Sequence, residues 1–106
     1  MNSRELRIGN FVYGAMDVPG KVESKDFEKI EQNPESVRPI PLMDLWLIRF
    51  GAVRQPWGWV LNEILIKTNN DRFWIELGNG NRIKLPFVHS LQNFFSLLGT
   101  ELEIKS

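Results

Sequence analysis

The chain has no cysteine, one histidine, one tyrosine and no net charge. Without cysteine there is no disulfide, no thiolate-ligated zinc or iron–sulfur cluster and no thiol nucleophile. The lone His89 leaves one imidazole base and removes most histidine-based metal sites. Thirteen Lys and Arg balance 13 Asp and Glu, and a cut at residue 53 leaves 7 basic and 8 acidic residues before it and 6 basic and 5 acidic after it. Neither half carries the positive excess of a dedicated phosphate-backbone binder. Long apolar runs are missing too. The longest uncharged stretch, residues 85–100, falls short of the ~20 apolar residues of a membrane span and is interrupted by His89, Ser90, Gln92, Asn93 and Ser96. Residues 1–9 alternate charged and apolar side chains instead of forming the apolar run of a signal peptide, so the expectation is a cytoplasmic protein with no membrane association.

What is present is material for one modest core. The chain has 106 residues, 42% of them hydrophobic, with four Trp and seven Phe, and is expected to fold as a single domain over 1–106. Arg7 to Gly14 combines β-branched and aromatic residues closed by glycine, which predicts a strand over 7–13. Phe27, Ile30 and Glu31 fall at helical spacing behind Ser24, a suitable N-cap, and Pro34 stops the helix, giving 25–32. Two prolines make residues 38–42 an extended lead into a second helix over 43–50. That helix has only Asp44 and Arg49 as charges, is expected to be buried on most sides, and ends at Gly51. Residues 55–58 read as a loop and 59–68 as one strand. Pro86 ends the strand before it, and Val88, Leu91, Phe94, Phe95 and Leu98 form the apolar stripe of a helix over 87–98. Leu102 and Ile104 are placed inward on a last strand over 101–105.

The hairpin between 71–77 and 81–85 can be settled by facing residues. A two-residue Asn79-Gly80 turn would set Leu77 opposite Arg82 and Glu76 opposite Ile83, mixing apolar and charged residues on each face. A three-residue loop, Gly78-Asn79-Gly80, instead pairs Glu76 with Arg82, Ile75 with Ile83, Trp74 with Lys84 and Phe73 with Leu85. The result is one ion pair, two apolar pairs and one cation–π pair. The fold class expected is therefore α+β: a three-stranded antiparallel meander over 59–68, 71–77 and 81–85, packed by the 87–98 helix and by the N-terminal elements.

Four features could carry chemistry. His89, Gln92, Asn93 and Ser96 form an uncharged polar face on the last helix, either a hydrogen-bonding surface for a partner or a set of groups satisfied inside the fold. His89 as the base of a small enzyme has no carboxylate to orient it and no Ser nucleophile motif beside it. Trp57 and Trp59 bracket Gly58, and one of them is a candidate anchor for a protein partner or a second copy, the other reading being a lid on the core edge. Arg72, Trp74, Arg82 and Lys84 share the outer hairpin face, where a base of a single-stranded nucleic acid could stack on Trp74 with phosphates near the cations; the alternative is an ordinary solvated face. Gly78-Asn79-Gly80-Asn81 is a turn rather than a phosphate loop, because neither a Lys-Ser/Thr pair nor a helix follows it. Glu28, Glu31 and Glu35 are scattered along a charged surface, and no acid pair or metal cluster is expected.

Leu6-Arg7-Ile8-Gly9-Asn10, Pro39-Ile40-Pro41-Leu42 with Trp46-Leu47 and Phe50-Gly51, Phe73-Trp74-Ile75-Glu76-Leu77, and Val88-His89-Ser90-Leu91-Gln92-Asn93 with Leu98-Gly99 are the pieces through which the chain resembles a family of small uncharacterised proteins from Bacteroidetes genomes and their prophages. The resemblance covers most of the chain and implies a cytoplasmic accessory protein of mobile elements, with no reaction, ligand or cofactor attached. The chain departs from that pattern at Met43, where the family carries a Thr that caps the helix; Asp44 must cap it here or the helix starts frayed. The expectation is a non-enzymatic, cofactor-free interaction module that binds a protein or another copy of itself through Trp57, Trp59, His89, Gln92 and Asn93. The alternatives are a single-stranded nucleic-acid binder and a small enzyme built on His89.

Overall fold

The computed structural model describes residues 6–14 and 18–104. The alternating segments of the second half form an antiparallel meander in which every connection is a tight turn. Its strands are β3 (Val53–Gln55), β4 (Gly58–Leu61), β5 (Ile64–Asn69), β6 (Arg72–Glu76) and β7 (Arg82–Lys84), paired in that order. Ahead of them, β1 (Phe11–Tyr13) and β2 (Pro19–Lys21) form a separate two-stranded sheet. Three helices complete the α+β fold: α1 (Asp26–Gln32), α2 (Asp44–Arg49) and α3 (Val88–Leu97).

One apolar cluster joins the inner face of the meander to two helices. Trp59, Ile66, Phe73, Ile75 and Leu85 meet Trp46, Leu47 and Phe50 from α2 and its end, and Val88, Leu91 and Phe95 from α3. A smaller cluster of Leu6, Val12, Val22 and Ile30 sits under the first hairpin and α1. The proline-flanked segment links them. Tyr13 bridges Arg38, Pro41 bridges Phe87, and the Val88 N–H donates to the Ile40 carbonyl at 2.8 Å, so this extended chain works as a partial strand without a sheet of its own.

The β6–β7 hairpin has the register expected from facing residues. Trp74 lies opposite Lys84, Ile75 opposite Ile83 and Glu76 opposite Arg82, with Gly80 at φ +86° closing the bulged three-residue turn. The meander, however, has five strands and not three. Residues 59–68 bend at Asn62 and Glu63, both at positive φ, into a two-residue turn between β4 and β5; the uninterrupted β-branched and aliphatic run on either side hid it. The segment read as a loop, residues 55–58, is the turn between β3 and β4, and Gly58 opens β4 where a Cβ would lie 2.3 Å from the Ile66 carbonyl oxygen.

Other boundaries move for local reasons. The first strand shrinks from 7–13 to Phe11–Tyr13 because Asn10 folds back, its N–H donating to the Arg7 carbonyl and its Oδ1 accepting from the Arg7 N–H. β2 escapes a pattern search because proline and glycine make most of it, which an edge strand tolerates. Ser24 does not cap α1. Lys25 holds the N-cap position without a side-chain bond, and the Asp26 carboxylate accepts the Glu23 N–H at 2.8 Å. In α2 only Trp46 and Leu47 are buried while Leu45 and Ile48 stand more than half exposed, since six residues can turn just one face to the core. In α3 the buried stripe ends at Phe95, and Leu98 is 54% exposed past the helix end. Residues 101–104 form no strand. Leu102 is buried as expected, but Ile104 is not, and residue 105 lies outside the described residues, as do the first five residues of the stretch compared with a signal peptide. Among the described residues no helix is long and apolar enough to cross a membrane.

Candidate binding face on the outer meander

The polar face of α3 is turned inward. Gln92, 7% exposed, accepts the Phe11 N–H at 2.8 Å through Oε1 and donates from Nε2 to the Gly9 carbonyl at 3.0 Å. Beside it Asn93 Oδ1 accepts from Asn10 Nδ2 at 3.0 Å, and Asn10 is itself buried. The Phe11 N–H and the Gly9 carbonyl find their partners in the Gln92 amide, while Asn93 holds the Asn10 side chain. His89, 5% exposed, stacks on Phe87 with ring centroids 5.4 Å apart. The side chains chosen from helical spacing as a partner surface thus fasten the N-terminal segment to α3, and His89 packs where a base for an incoming substrate is not reached. Of the two readings of this face, His89 and Gln92 take the inward one, against the outward partner surface, and Asn93 is half-buried against Asn10.

The tryptophans divide. Trp59 is 4% exposed in the core, with the Arg54 guanidinium 5.4 Å above its ring, and so is no surface anchor. Trp57, in the β3–β4 turn, is 43% exposed and stays available. The physical reason is position: Trp57 lies in the turn, outside either strand, whereas Trp59 lies within β4 and shares the inner face with its cross-strand partner Ile66.

The four residues assigned to the outer hairpin face do come together. β6 and β7 hold Trp74 beside Lys84 and place Arg72 and Arg82 on the same side, because the pleat sends Phe73, Ile75 and Leu85 into the core. They line an open concavity of about 870 Å³ that extends over the Asn70-Asp71 turn to Pro86. The cation–π contact is Arg82 over Trp74 at 4.9 Å, rather than the directly opposite Lys84. A diagonal neighbour with a planar guanidinium covers the ring better than a cross-strand ammonium.

A fourth cation joins them that periodicity did not pick out. Lys67 on β5 lies opposite Trp74 and reaches the Glu76 carboxylate at 2.9 Å, with Arg82 3.6 Å from the other oxygen. The Lys67 bond, then the Trp74 indole N–H and the nearby positive charges, hold the Glu76 carboxyl below the usual carboxylate range. The signal was there in Asn70-Asp71: a two-residue turn between Asn69 and Arg72 forces Lys67 onto the Trp74 row. The face therefore carries Lys67, Arg72, Arg82 and Lys84 against Glu76 and Asp71. Among the described residues no group of three or more His, Cys, Asp or Glu is placed to hold a metal ion. No family model, no curated protein and no solved structure matches the chain.

Proposed function

We propose that the protein is a non-enzymatic binding module for a polypeptide partner, and that the partner seats on the outer face of β6 and β7 rather than on α3. The observation that carries this reading is the open concavity in which Arg72, Trp74, Arg82 and Lys84 converge. It offers cations, an indole edge and turn amides but no acid–base pair. A cytoplasmic accessory role in a mobile element is the setting that the sequence resemblance implies, and a small interaction module suits it.

The test uses the intact chain as bait. An Arg72→Glu/Lys84→Glu double variant loses the bound partner, while Trp57→Ala keeps it. Retention by the double variant together with loss by Trp57→Ala would move the site to the β3–β4 turn and end this reading.

Single-stranded nucleic acid is the second reading, favoured by Trp74 standing among four cations. One feature counts against it: Arg82 already covers the Trp74 ring, so a base stacking on that face must displace it. Quenching of tryptophan fluorescence by oligothymidylate at low salt, reversed at high salt, would establish nucleic-acid binding, and its absence removes the idea.

A further inference from the structure

β7 is the last strand of the meander, and no strand flanks its far side among the described residues. The pairing with β6 decides which of its main-chain groups are used. The Leu77 N–H donates to the Asn81 carbonyl at 2.8 Å and the Leu85 N–H to the Phe73 carbonyl at 2.9 Å, so Phe73/Leu85 and Leu77/Asn81 are hydrogen-bonded pairs. Bonded and non-bonded pairs alternate in an antiparallel ladder, which makes Ile75/Ile83 bonded and leaves Glu76/Arg82 and Trp74/Lys84 non-bonded. The N–H and C=O groups of Arg82 and Lys84 therefore point away from the sheet. The open edge ends there, because Pro86 and Phe87 are taken up by the Pro41 and Leu42 segment.

The side chains on this edge are selective. Arg82 and Lys84 are exposed on the outer face, whereas Ile83 is half-buried toward the core. A second copy of β7 laid antiparallel would bring Arg82 and Lys84 against each other's cations, so the edge repels itself, as sheet edges commonly do. A strand with carboxylates opposite Arg82 and Lys84 and an apolar residue opposite Ile83 meets the reverse situation. We infer that β7 takes an extended acidic peptide as a sixth antiparallel strand, with alternating acidic and apolar side chains, the main chain supplying affinity and the two cations supplying selection. The other sheet edge is a poorer dock. In β3 only Arg54 has outward main-chain groups, and its guanidinium is turned back to Gly58 and Trp59.

This inference rests on the outer-face reading and is tested with the full chain and a capped peptide, Ser-Glu-Val-Glu-Val-Glu-Ser, by calorimetry or by amide chemical shifts. The peptide binds, with the largest shifts at the Arg82 and Lys84 amides. Methylating the glutamate amide nitrogens, which would face β7, weakens binding about tenfold or more, while methylating the valine nitrogens, which face away, leaves it nearly unchanged. Lys84→Glu weakens the acidic peptide and gains a peptide with lysine in place of glutamate, and its unchanged melting temperature shows that the fold is intact.

Equal binding by both methylated peptides would overturn strand addition yet keep the cationic face as a peptide site. No binding of the parent peptide would overturn the inference. No binding of that peptide combined with salt-sensitive binding of oligothymidylate would overturn both it and the polypeptide reading.

Discussion

Glu76 shows how a single side chain sets the character of the outer face. Its carboxylate bonds to Lys67 and to the Trp74 indole and attracts Arg82, all of which stabilise the ionised form. The folded pKa lies below its ordinary 4.5, so the stabilisation is complete above that value and is lost as pH falls through the lower, folded pKa. We expect the difference in melting temperature between wild type and Glu76→Gln to be constant near neutrality and to vanish in acid. A difference that grows on acidification would contradict this. Gly58 is the other residue with an outsized role. A methyl group there would press on the Ile66 carbonyl at 2.3 Å and on Lys67 Cα at 3.2 Å, both main-chain atoms of a paired strand that cannot step aside. Gly58→Ala should destabilise by about 3 kcal/mol or more in urea titration. A Pro-Trp-Gly-Trp sequence suggests a flexible loop, and nothing in it reveals that the glycine is wanted for space against a strand eight residues away.

At the scale of elements, α2 is the shortest of the three α-helices, six residues long. Met43 is its N-cap, in extended conformation and 60% exposed, with no side chain bonding the first turn, and Asp44 lies inside the helix instead of capping it. Asp44 therefore does not supply the cap asked of it, and the helix starts on the main-chain bonds from Trp46 and Leu47 to the Met43 carbonyl. Met43→Thr should restore a cap and add ~1 kcal/mol, raising the melting temperature by roughly 4 °C or more. No change, or a loss, would mean that the Met43 side chain contributes more to packing than its exposure suggests. Among the strands, the β6–β7 register was legible because a wrong loop length puts charge opposite an apolar residue, a penalty visible in one dimension. The β4–β5 turn was not. Asn62 and Glu63 interrupt the run without glycine or proline, and Glu63 holds a positive φ of 68° that its own chemistry does not favour.

Across the whole molecule, Gln92 and Asn93 join the two ends of the chain. The Phe11 N–H and Gly9 carbonyl have their partners on α3, more than 80 residues away in sequence. Gln92→Leu would leave both main-chain groups unpaired in the interior and should cost about 2–4 kcal/mol, with hydrogen exchange at the Phe11 amide accelerating ahead of the β6 amides. Equal acceleration at both would show that the N-terminal hairpin and the meander open together.

The alternation in residues 71–85 and the stripe through residues 88–95 are properties of neighbours a few positions apart, and steric periodicity turns them into a hairpin and a helix with known inner and outer faces. The α+β class and the grouping of Arg72, Trp74, Arg82 and Lys84 follow from that local arithmetic. Whether a polar face looks out or in is a different kind of question. His89, Gln92 and Asn93 would sit equally well in water; His89 is packed against Phe87, and Gln92 and Asn93 answer the demand of the Phe11 N–H, the Gly9 carbonyl and the Asn10 side chain for partners. That demand arises only when distant parts of the chain meet, and so it was decided by packing.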